Sequence, residues 1–128
     1  MTAPTQHRDR RWPRRVYAAG TEPDPRFTFA NERTFLAWIR TGLGFLAAGV
    51  AIAAVAQWTE RLGLEIRLAS AGVIIFGLAC GIGAFRRWMA NERAMRLNEP
   101  LPSSPLLLAL TAIVALIGIV ALIIVWFG

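Results

Sequence analysis

The chain has 128 residues, 55% of them hydrophobic, and its mean hydropathy is +0.47. This apolar balance excludes an ordinary soluble domain and predicts an all-α integral membrane protein. The formal net charge is +6, all 14 basic residues are arginines, and the one cysteine, Cys80, cannot form an internal disulfide.

Residues 1–25 are expected to form a disordered basic tail. They carry five arginines, four prolines and few large apolar residues, a composition typical of disordered segments. His7 lies in this stretch and is expected to be solvated. No signal peptide is expected ahead of the first apolar run, because that run begins only after the long polar tail.

Three apolar runs predict a three-span membrane domain over residues 26–128. The runs cover residues 35–58, 68–85 and 106–127. Each is long enough to cross a hydrocarbon core of about 30 Å at about 1.5 Å per helical residue. The third run consists almost entirely of Leu, Ile, Val and Ala, so we expect it to face lipid.

The distribution of the arginines predicts the orientation of the spans. Arg40 lies within a span and two arginines lie in the first loop. The others precede the first span or separate the second from the third: Arg8, Arg10, Arg11, Arg14, Arg15, Arg26, Arg33, Arg86, Arg87, Arg93 and Arg96. The positive-inside rule therefore places the N-terminus in the cytoplasm and the C-terminus outside.

Capping residues predict where the helices begin and end. Either Asp-Pro at 24–25 or Thr28 is expected to start the first helix, because Asp and Thr cap free amides and proline is tolerated in the first turn. The second helix is expected to continue as far as Asn98 or Pro100. Ser-Ser-Pro at 103–105 is expected to cap and start the third helix.

Small residues at helical spacing predict which faces of the first two helices pack together, because they allow backbones to approach closely. On the first helix the spacing selects Ala37, Thr41, Gly44, Ala48 and Ala51, and on the second helix it selects Gly77, Gly81 and Ala84.

The tetrapeptide ANER occurs at residues 30–33 and again 60 residues later. Helical rise places both copies at a similar depth on antiparallel neighbours. Glu32 can then meet Arg93 while Glu92 meets Arg33, a reciprocal charge pairing within the chain or between protomers. Partly exposed pairs of this kind contribute about 0–1 kcal/mol each. The alternative is a coincidence in a chain rich in Ala and Arg.

Three arginines at seven-residue spacing, Arg26, Arg33 and Arg40, share one face of the first helix. We call them the arginine ladder. Arg40 is the informative member, because a basic group inside a span costs about 2.5–3.5 kcal/mol. Three interpretations are open. Arg40 extends to the headgroups, pairs with Glu32 or Glu92, or lines a water-filled path surrounded by several copies of the helix.

The stretch FANERTFLAWIRTGL, preceded by Pro-Arg at 25–26, resembles a known family. This is the three-span domain of bacterial inner-membrane proteins of the YidH type (domain of unknown function 202). The same domain forms the membrane part of the eukaryotic vacuolar transporter chaperone complex, where copies surround a polyphosphate-conducting path lined by basic residues of the first helix. The resemblance implies that five arginines contact the polyanion, the first two being stronger candidates than the other three: Arg26, Arg33, Arg86, Arg87 and Arg93.

The sequence contains no Ser/His/Asp set, glycine-rich phosphate loop or metal-ligand spacing, so no enzymatic activity, cofactor or metal site is expected. Nucleic acid is not an expected partner, because membrane topology already explains the positions of the arginines. The expected function is a homo-oligomeric membrane module whose arginine ladder binds or conducts a phosphate-like anion or polyphosphate. The alternative is a non-conducting adaptor subunit that binds anionic lipid and a partner protein.

Overall fold

The computed structural model describes residues 9–60 and 63–128, and these residues form helices and no strand. The helices are α1 (Arg14–Tyr17), α2 (Pro25–Trp58), α3 (Leu64–Arg96) and α4 (Pro105–Phe127). The last three are long and apolar enough to cross a membrane, with mean hydropathies of 1.8, 2.1 and 3.1 over their most apolar stretches. The predicted all-α, three-span fold is confirmed.

The first and last spans begin at predicted capping residues. Asp24 precedes α2, its carboxylate accepts a hydrogen bond from the Arg26 amide at 2.9 Å, and Pro25 lies in the first turn. Ser104 holds the same position before α4, although its hydroxyl makes no capping hydrogen bond. The helix α3 ends at Arg96, slightly before the predicted stop.

The helices α2 and α3 pack as an antiparallel pair whose backbones approach closely at two glycines. A Cβ added to Gly77 would lie 2.8 Å from the Gly42 carbonyl oxygen, and a Cβ added to Gly42 would lie 2.9 Å from the Gly77 carbonyl oxygen. Farther along the pair, the buried Ser70 hydroxyl donates to the Gly49 carbonyl oxygen at 2.7 Å. Small residues are therefore required along this contact.

The packing face of α2 differs from the one that small-residue spacing predicts. Its buried residues are Asn31, Trp38, Gly42, Gly49 and Ala56, whereas the exposed residues include Ala37, Gly44, Ala48 and Ala51. On α3 the prediction is correct for Gly77 and Ala84, which are buried, but a Cβ at Gly81 would have no atom within 4 Å. Two faces of α2 are rich in small residues, and the face with glycines seven residues apart is the one that meets Gly77.

The helix α4 stands apart from the α2–α3 pair over most of its length. No α4 residue is buried, and its start touches α3 where the Leu106 side chain lies beside Gly83. Water is an unfavourable environment for an apolar helix exposed on all sides, so α4 requires lipid or another apolar surface around it. This exposure agrees with the expectation that the third span faces lipid.

Residues 9–24, which we call the N-terminal segment, do not form the disordered tail that the sequence predicts. They include α1, bury Val16 to 1% exposure and lie against the last turns of α3. Gly20 has φ +51°, and any Cβ there would overlap the Arg96 carbonyl group. The Thr21 amide donates to that same carbonyl oxygen at 3.0 Å. The segment packs here because α3 offers it specific hydrogen bonds.

The N-terminal segment, the start of α2 and the end of α3 together form one end of the molecule, which we call the arginine-rich end. Residues 1–8, with His7 and Arg8, lie outside the described residues, and so do residues 61–62.

We expect Gly77→Ala to destabilise the α2–α3 pair and Gly81→Ala to leave it intact. The first substitution forces a methyl group against the Gly42 backbone, at a cost of about 1–3 kcal/mol. The second adds a methyl group in open space, where helix propensity favours Ala by up to about 1 kcal/mol. Cys80 is fully buried, so its labelling by a thiol-reactive fluorophore during heating in detergent measures the unfolding temperature. Equal unfolding temperatures for the two variants would contradict the packing.

Candidate functional site

The two ANER copies meet at the arginine-rich end through their asparagines. The Asn91 side-chain amide donates to Asn31 Oδ1 at 3.2 Å. Asn31 Nδ2 in turn donates to the Trp88 carbonyl oxygen at 3.1 Å and to Glu92 Oε2 at 3.2 Å. Both asparagines are buried. The prediction that the copies lie at matching depth on antiparallel helices is confirmed.

Glu92 is buried between α2 and α3, with 1% of its surface exposed. Its carboxylate accepts a hydrogen bond from the Thr28 hydroxyl at 2.8 Å and one from the Asn31 amide. Neutral donors on α2 therefore satisfy a group whose burial without hydrogen bonds would be costly. No arginine among residues 9–60 and 63–128 forms an ion pair with it.

The predicted reciprocal charge pairing within the chain is therefore wrong. Glu32, Arg33 and Arg93 are all exposed, and Arg93 Nη1 donates to the Arg15 carbonyl oxygen at 2.8 Å. Helix geometry explains the difference: Asn31 lies on the contact face of α2, and the next two residues are rotated away from it by about 100° and 200°. Charge pairing of these residues between copies of the chain stays a prediction.

The arginine ladder lies on the face of α2 that points away from α3. Arg33 and Arg40 each follow a buried residue, Asn31 and Trp38, by two positions, which corresponds to a rotation of about 200°. Both are exposed. Neither takes part in the ion pairs of the described residues, so the interpretation that Arg40 pairs with a glutamate of its own chain is wrong.

Arg26, the outermost member of the ladder, has a different environment. Its Nη2 lies 2.8 Å from Asp24 Oδ2, in an ion pair beside the helix cap. Both side chains are accessible to solvent, where such a pair contributes about 0–1 kcal/mol. The pair reduces the charge that Arg26 offers to a ligand, so Arg33 and Arg40 are the stronger candidates for anion contact.

The predicted anion contacts on α3, which are Arg86, Arg87 and Arg93, have two different environments in the structure. Arg86 and Arg93 are exposed and each follows a buried residue by two positions, so they point away from α2 by about 200°. Arg87 is half-buried, with its Cζ 5.8 Å from the Trp38 ring centroid, and its buried Nε makes no hydrogen bond to the described residues. The ladder on one side and Arg86 with Arg93 on the other therefore occupy opposite outer faces of the pair.

Sequence reasoning missed the role of Arg96. This side chain is only 5% exposed, and it donates from Nε to the Ala19 carbonyl oxygen at 2.8 Å and from Nη2 to the Tyr17 carbonyl oxygen at 3.1 Å. Its Nη1 lies 3.4 Å from Glu22 Oε1. The available signal was the Val16-Tyr17 pair, which is apolar within an otherwise polar segment.

Aromatic rings reinforce the docking of the N-terminal segment. Trp12 stacks on Phe85 with ring centroids 6.1 Å apart, and Phe85 stacks on Trp88 at 5.9 Å. Tyr17 lies 6.4 Å from Trp88, and the Arg11 Cζ lies 4.6 Å from the Tyr17 ring centroid. Offset aromatic pairs and cation–π contacts of this kind each contribute about 0.5–1.5 kcal/mol.

Charge pairs on the N-terminal segment shift the titration of its carboxylates. Hydrogen bonds from Arg11 hold the pKa of Asp9 and the pKa of Glu22 below their usual values, and Arg96 adds to the effect at Glu22. Burial raises the pKa of Tyr17. Of these two carboxylates, Glu22 is the one that joins the segment to α3, through Arg96. Within the described ranges, no group of three or more His, Cys, Asp or Glu residues could hold a metal ion.

These features define a small multi-pass membrane protein with arginines on opposite outer faces of a helix pair. Residues 26–94 match the family model described as domain of unknown function (DUF202), and the chain belongs to this family. It is 41% identical to inner membrane protein YidH of Escherichia coli strain K12 over 114 residues, which cover 84% of this chain and 93% of that protein. The resemblance to the YidH-type family seen in the sequence is confirmed.

A second relative is uncharacterized protein Rv2272 of Mycobacterium tuberculosis strain H37Rv. It is 44% identical over 105 residues, which cover 82% of this chain and 85% of that protein. No solved structure matches the chain. Neither the family description nor these names state an enzymatic activity. The similarity to inner membrane protein YidH and the three apolar helices make this a multi-pass protein of the bacterial inner membrane.

We expect Glu92→Ala to destabilise the protein and Glu32→Ala to have little effect, although both change the glutamate of an ANER copy. Loss of Glu92 leaves the Thr28 hydroxyl and an Asn31 amide proton without their partner, at a cost of about 2 kcal/mol. Loss of the exposed Glu32 should change stability by no more than about 0.5 kcal/mol. Thermal unfolding followed by Cys80 labelling measures both, and equal effects would exclude the buried hydrogen-bond cluster.

We expect acid to release the N-terminal segment. The pKa of Glu22, which pairs with Arg96 of α3, is lowered in the folded protein, so its stabilising contribution is present above the unfolded-state pKa and is lost as the pH falls through the folded-state pKa. Hydrogen exchange of the segment, corrected for intrinsic rates, should show protection at about pH 7 and a progressive loss of that protection as the pH falls below about 4.

A matched pair of variants tests the cause of this pH dependence. Glu22→Gln should reduce protection of the segment already at neutral pH, because it removes the partner of Arg11 and Arg96. Glu99→Gln is the control, since Glu99 is exposed and belongs to none of the ion pairs of the described chain. Unchanged protection in Glu22→Gln would show that the carboxylate does not hold the segment.

Proposed function

We propose that the protein is a homo-oligomeric membrane module whose arginine ladder binds or conducts a phosphate-like anion. The observation that carries the proposal is that Arg33 and Arg40 lie on the exposed face of α2, away from α3, outside the ion pairs of the described residues. Guanidinium groups bind phosphate oxygens through paired hydrogen bonds, and rings of arginine line anion and phosphate pores.

The depth of Arg40 supports an oligomer. Arg40 lies five residues beyond the start of the first apolar run, about 7.5 Å into the span. In a single chain this charge would face lipid, at a cost of about 2.5–3.5 kcal/mol. Several copies of α2 around a water-filled path would remove that cost, because each Arg40 would then face water.

The exposed small residues of α2 support the same arrangement. Gly44, Ala48 and Ala51 lie on the outer side of the helix, and a Cβ added to Gly44 would meet no atom within 4 Å. Small residues allow neighbouring helices to approach closely in a membrane. Copies of α2 can therefore pack beside the ladder, with α3 and α4 farther from the centre. One chain with three spans does not enclose a path by itself.

In this proposal the N-terminus lies in the cytoplasm, as the arginine distribution predicts. Arg33 then collects the anion at the cytoplasmic mouth, and Arg40 contacts it within the span. The resemblance to the membrane part of the vacuolar transporter chaperone complex extends the ligand class to polyphosphate. Any synthesis of that polymer would be carried out by a partner protein.

Anion flux into proteoliposomes tests the proposal. Vesicles containing Arg33→Gln/Arg40→Gln should admit inorganic phosphate or short-chain polyphosphate at least about tenfold more slowly than vesicles with the unaltered chain. The control is Arg10→Gln/Arg67→Gln, which removes the same charge at exposed positions off the ladder. No flux in the unaltered protein would contradict conduction, and equal flux in both variants would contradict a role for the ladder in it. The latter result is expected if Arg40 only extends to the headgroups.

The second candidate is a non-conducting adaptor subunit that binds anionic lipid and a partner protein. The observations that favour it are the absence of buried residues in α4 and the position of Arg86 and Arg93 on the face opposite the ladder. Oligomeric state in mild detergent separates the two candidates. A ring of four or more copies supports a conducting path, and a monomer or dimer supports the adaptor.

A further inference from the structure

A cleft of about 400 Å³ lies where α1 packs against α3, on the side of α3 that faces away from α2. Half of its lining residues are arginines and none is acidic: Arg15, Val16, Arg86, Met89, Ala90 and Arg93. The cleft thus combines strong positive charge with apolar surface. It lies on the opposite side of the helix pair from the arginine ladder.

The walls of the cleft are held in place by contacts on its inner side. Val16 is buried against α3, and Arg93 Nη1 donates to the Arg15 carbonyl oxygen at 2.8 Å. Arg86 lies two turns before Arg93 on the same face of α3, about 10.5 Å away along the axis. The side chains of Arg15 and Arg86 are exposed and join none of the ion pairs of the described residues.

The depth of the cleft matches the headgroup region of a bilayer. Arg86 directly follows Phe85, the last residue of the second apolar run. The aromatic cluster of Trp12, Phe85 and Trp88 lies at the same level, and Trp is enriched at membrane–water interfaces. Charged groups at this depth face phosphates, while the apolar part of the lining faces glycerol and acyl chains.

We propose that this cleft binds the headgroup of an anionic phospholipid. The guanidinium groups of Arg15, Arg86 and Arg93 surround the phosphodiester, which accepts paired hydrogen bonds from them. Met89 and Ala90 contact the less polar part of the lipid. A zwitterionic lipid binds less tightly, because its own cation opposes three arginines. The proposal does not rest on anion conduction, since the cleft is formed by one chain and excludes the ladder.

Binding of short-chain lipids to the purified protein in a non-ionic detergent tests the proposal. Dioctanoyl phosphatidylglycerol should bind with a lower Kd than dioctanoyl phosphatidylcholine. Arg15→Gln/Arg86→Gln should raise the Kd for phosphatidylglycerol by about tenfold or more, since each arginine near an anionic headgroup contributes substantially. Among the described residues, the side chains of Arg15 and Arg86 make no hydrogen bond, so the unfolding temperature reported by Cys80 labelling should not change.

The control is Arg10→Gln/Arg67→Gln, which removes the same charge away from the cleft and should leave the Kd unchanged. Equally weakened binding of phosphatidylglycerol in the two variants would show that only the net charge of the protein matters, and it would overturn the site. Equal Kd values for the two lipids would overturn it as well. Titration with inorganic phosphate separates the two sources of this chemistry: phosphate that binds as tightly as phosphatidylglycerol would assign the cleft to a free anion instead of a lipid.

Discussion

The close approach of the α2 and α3 backbones at Gly42 and Gly77 is the constraint on which the rest of the structure depends. Each glycine leaves room for the carbonyl group of the other, and this contact fixes the register of the pair. With that register Ser70 reaches the Gly49 carbonyl oxygen on one side. On the other side Asn31 reaches Asn91 and Glu92. Polar side chains toward both ends of the α2–α3 contact find hydrogen-bond partners because the glycines at its middle let the two backbones approach.

The same contact determines where the charges lie. Once α2 turns its glycine face toward α3, the ladder residues Arg33 and Arg40 must point outward, and so must Arg86 and Arg93 on α3. The pair therefore has a basic surface on each side, separated by a core in which Glu92 is held by neutral donors. An anion path along one surface and a lipid site on the other are compatible, because no residue belongs to both.

Much of the fold could be predicted from the sequence, because span length, proline and capping residues act locally. The start at Asp24, one of the two starts that the sequence allows, the three spans and the matched depth of the two ANER copies are of this kind. Which of the two small-residue faces of α2 packs against α3 could not be predicted, because either face allows close approach and the residues of the partner helix determine the choice. The partners of Glu92 and the docking of the N-terminal segment depend on tertiary contacts. The shared helix face of the ladder residues follows from their seven-residue spacing, but their separation from Arg86 and Arg93 required the structure. Anion contact by the ladder stays a prediction.

The hydrogen bond from Thr21 to the Arg96 carbonyl oxygen has a consequence for how this end of the protein unfolds. Terminal carbonyl groups of a helix usually turn to water or to a following glycine. Here the N-terminal segment, which α2 separates from α3 in sequence, supplies the donor, and the Arg96 side chain returns two hydrogen bonds to that segment. Fraying of the last turn of α3 and detachment of the N-terminal segment are therefore one cooperative event. The N-terminal segment thus takes the place that the residues following a helix usually have, although it precedes α3 in sequence.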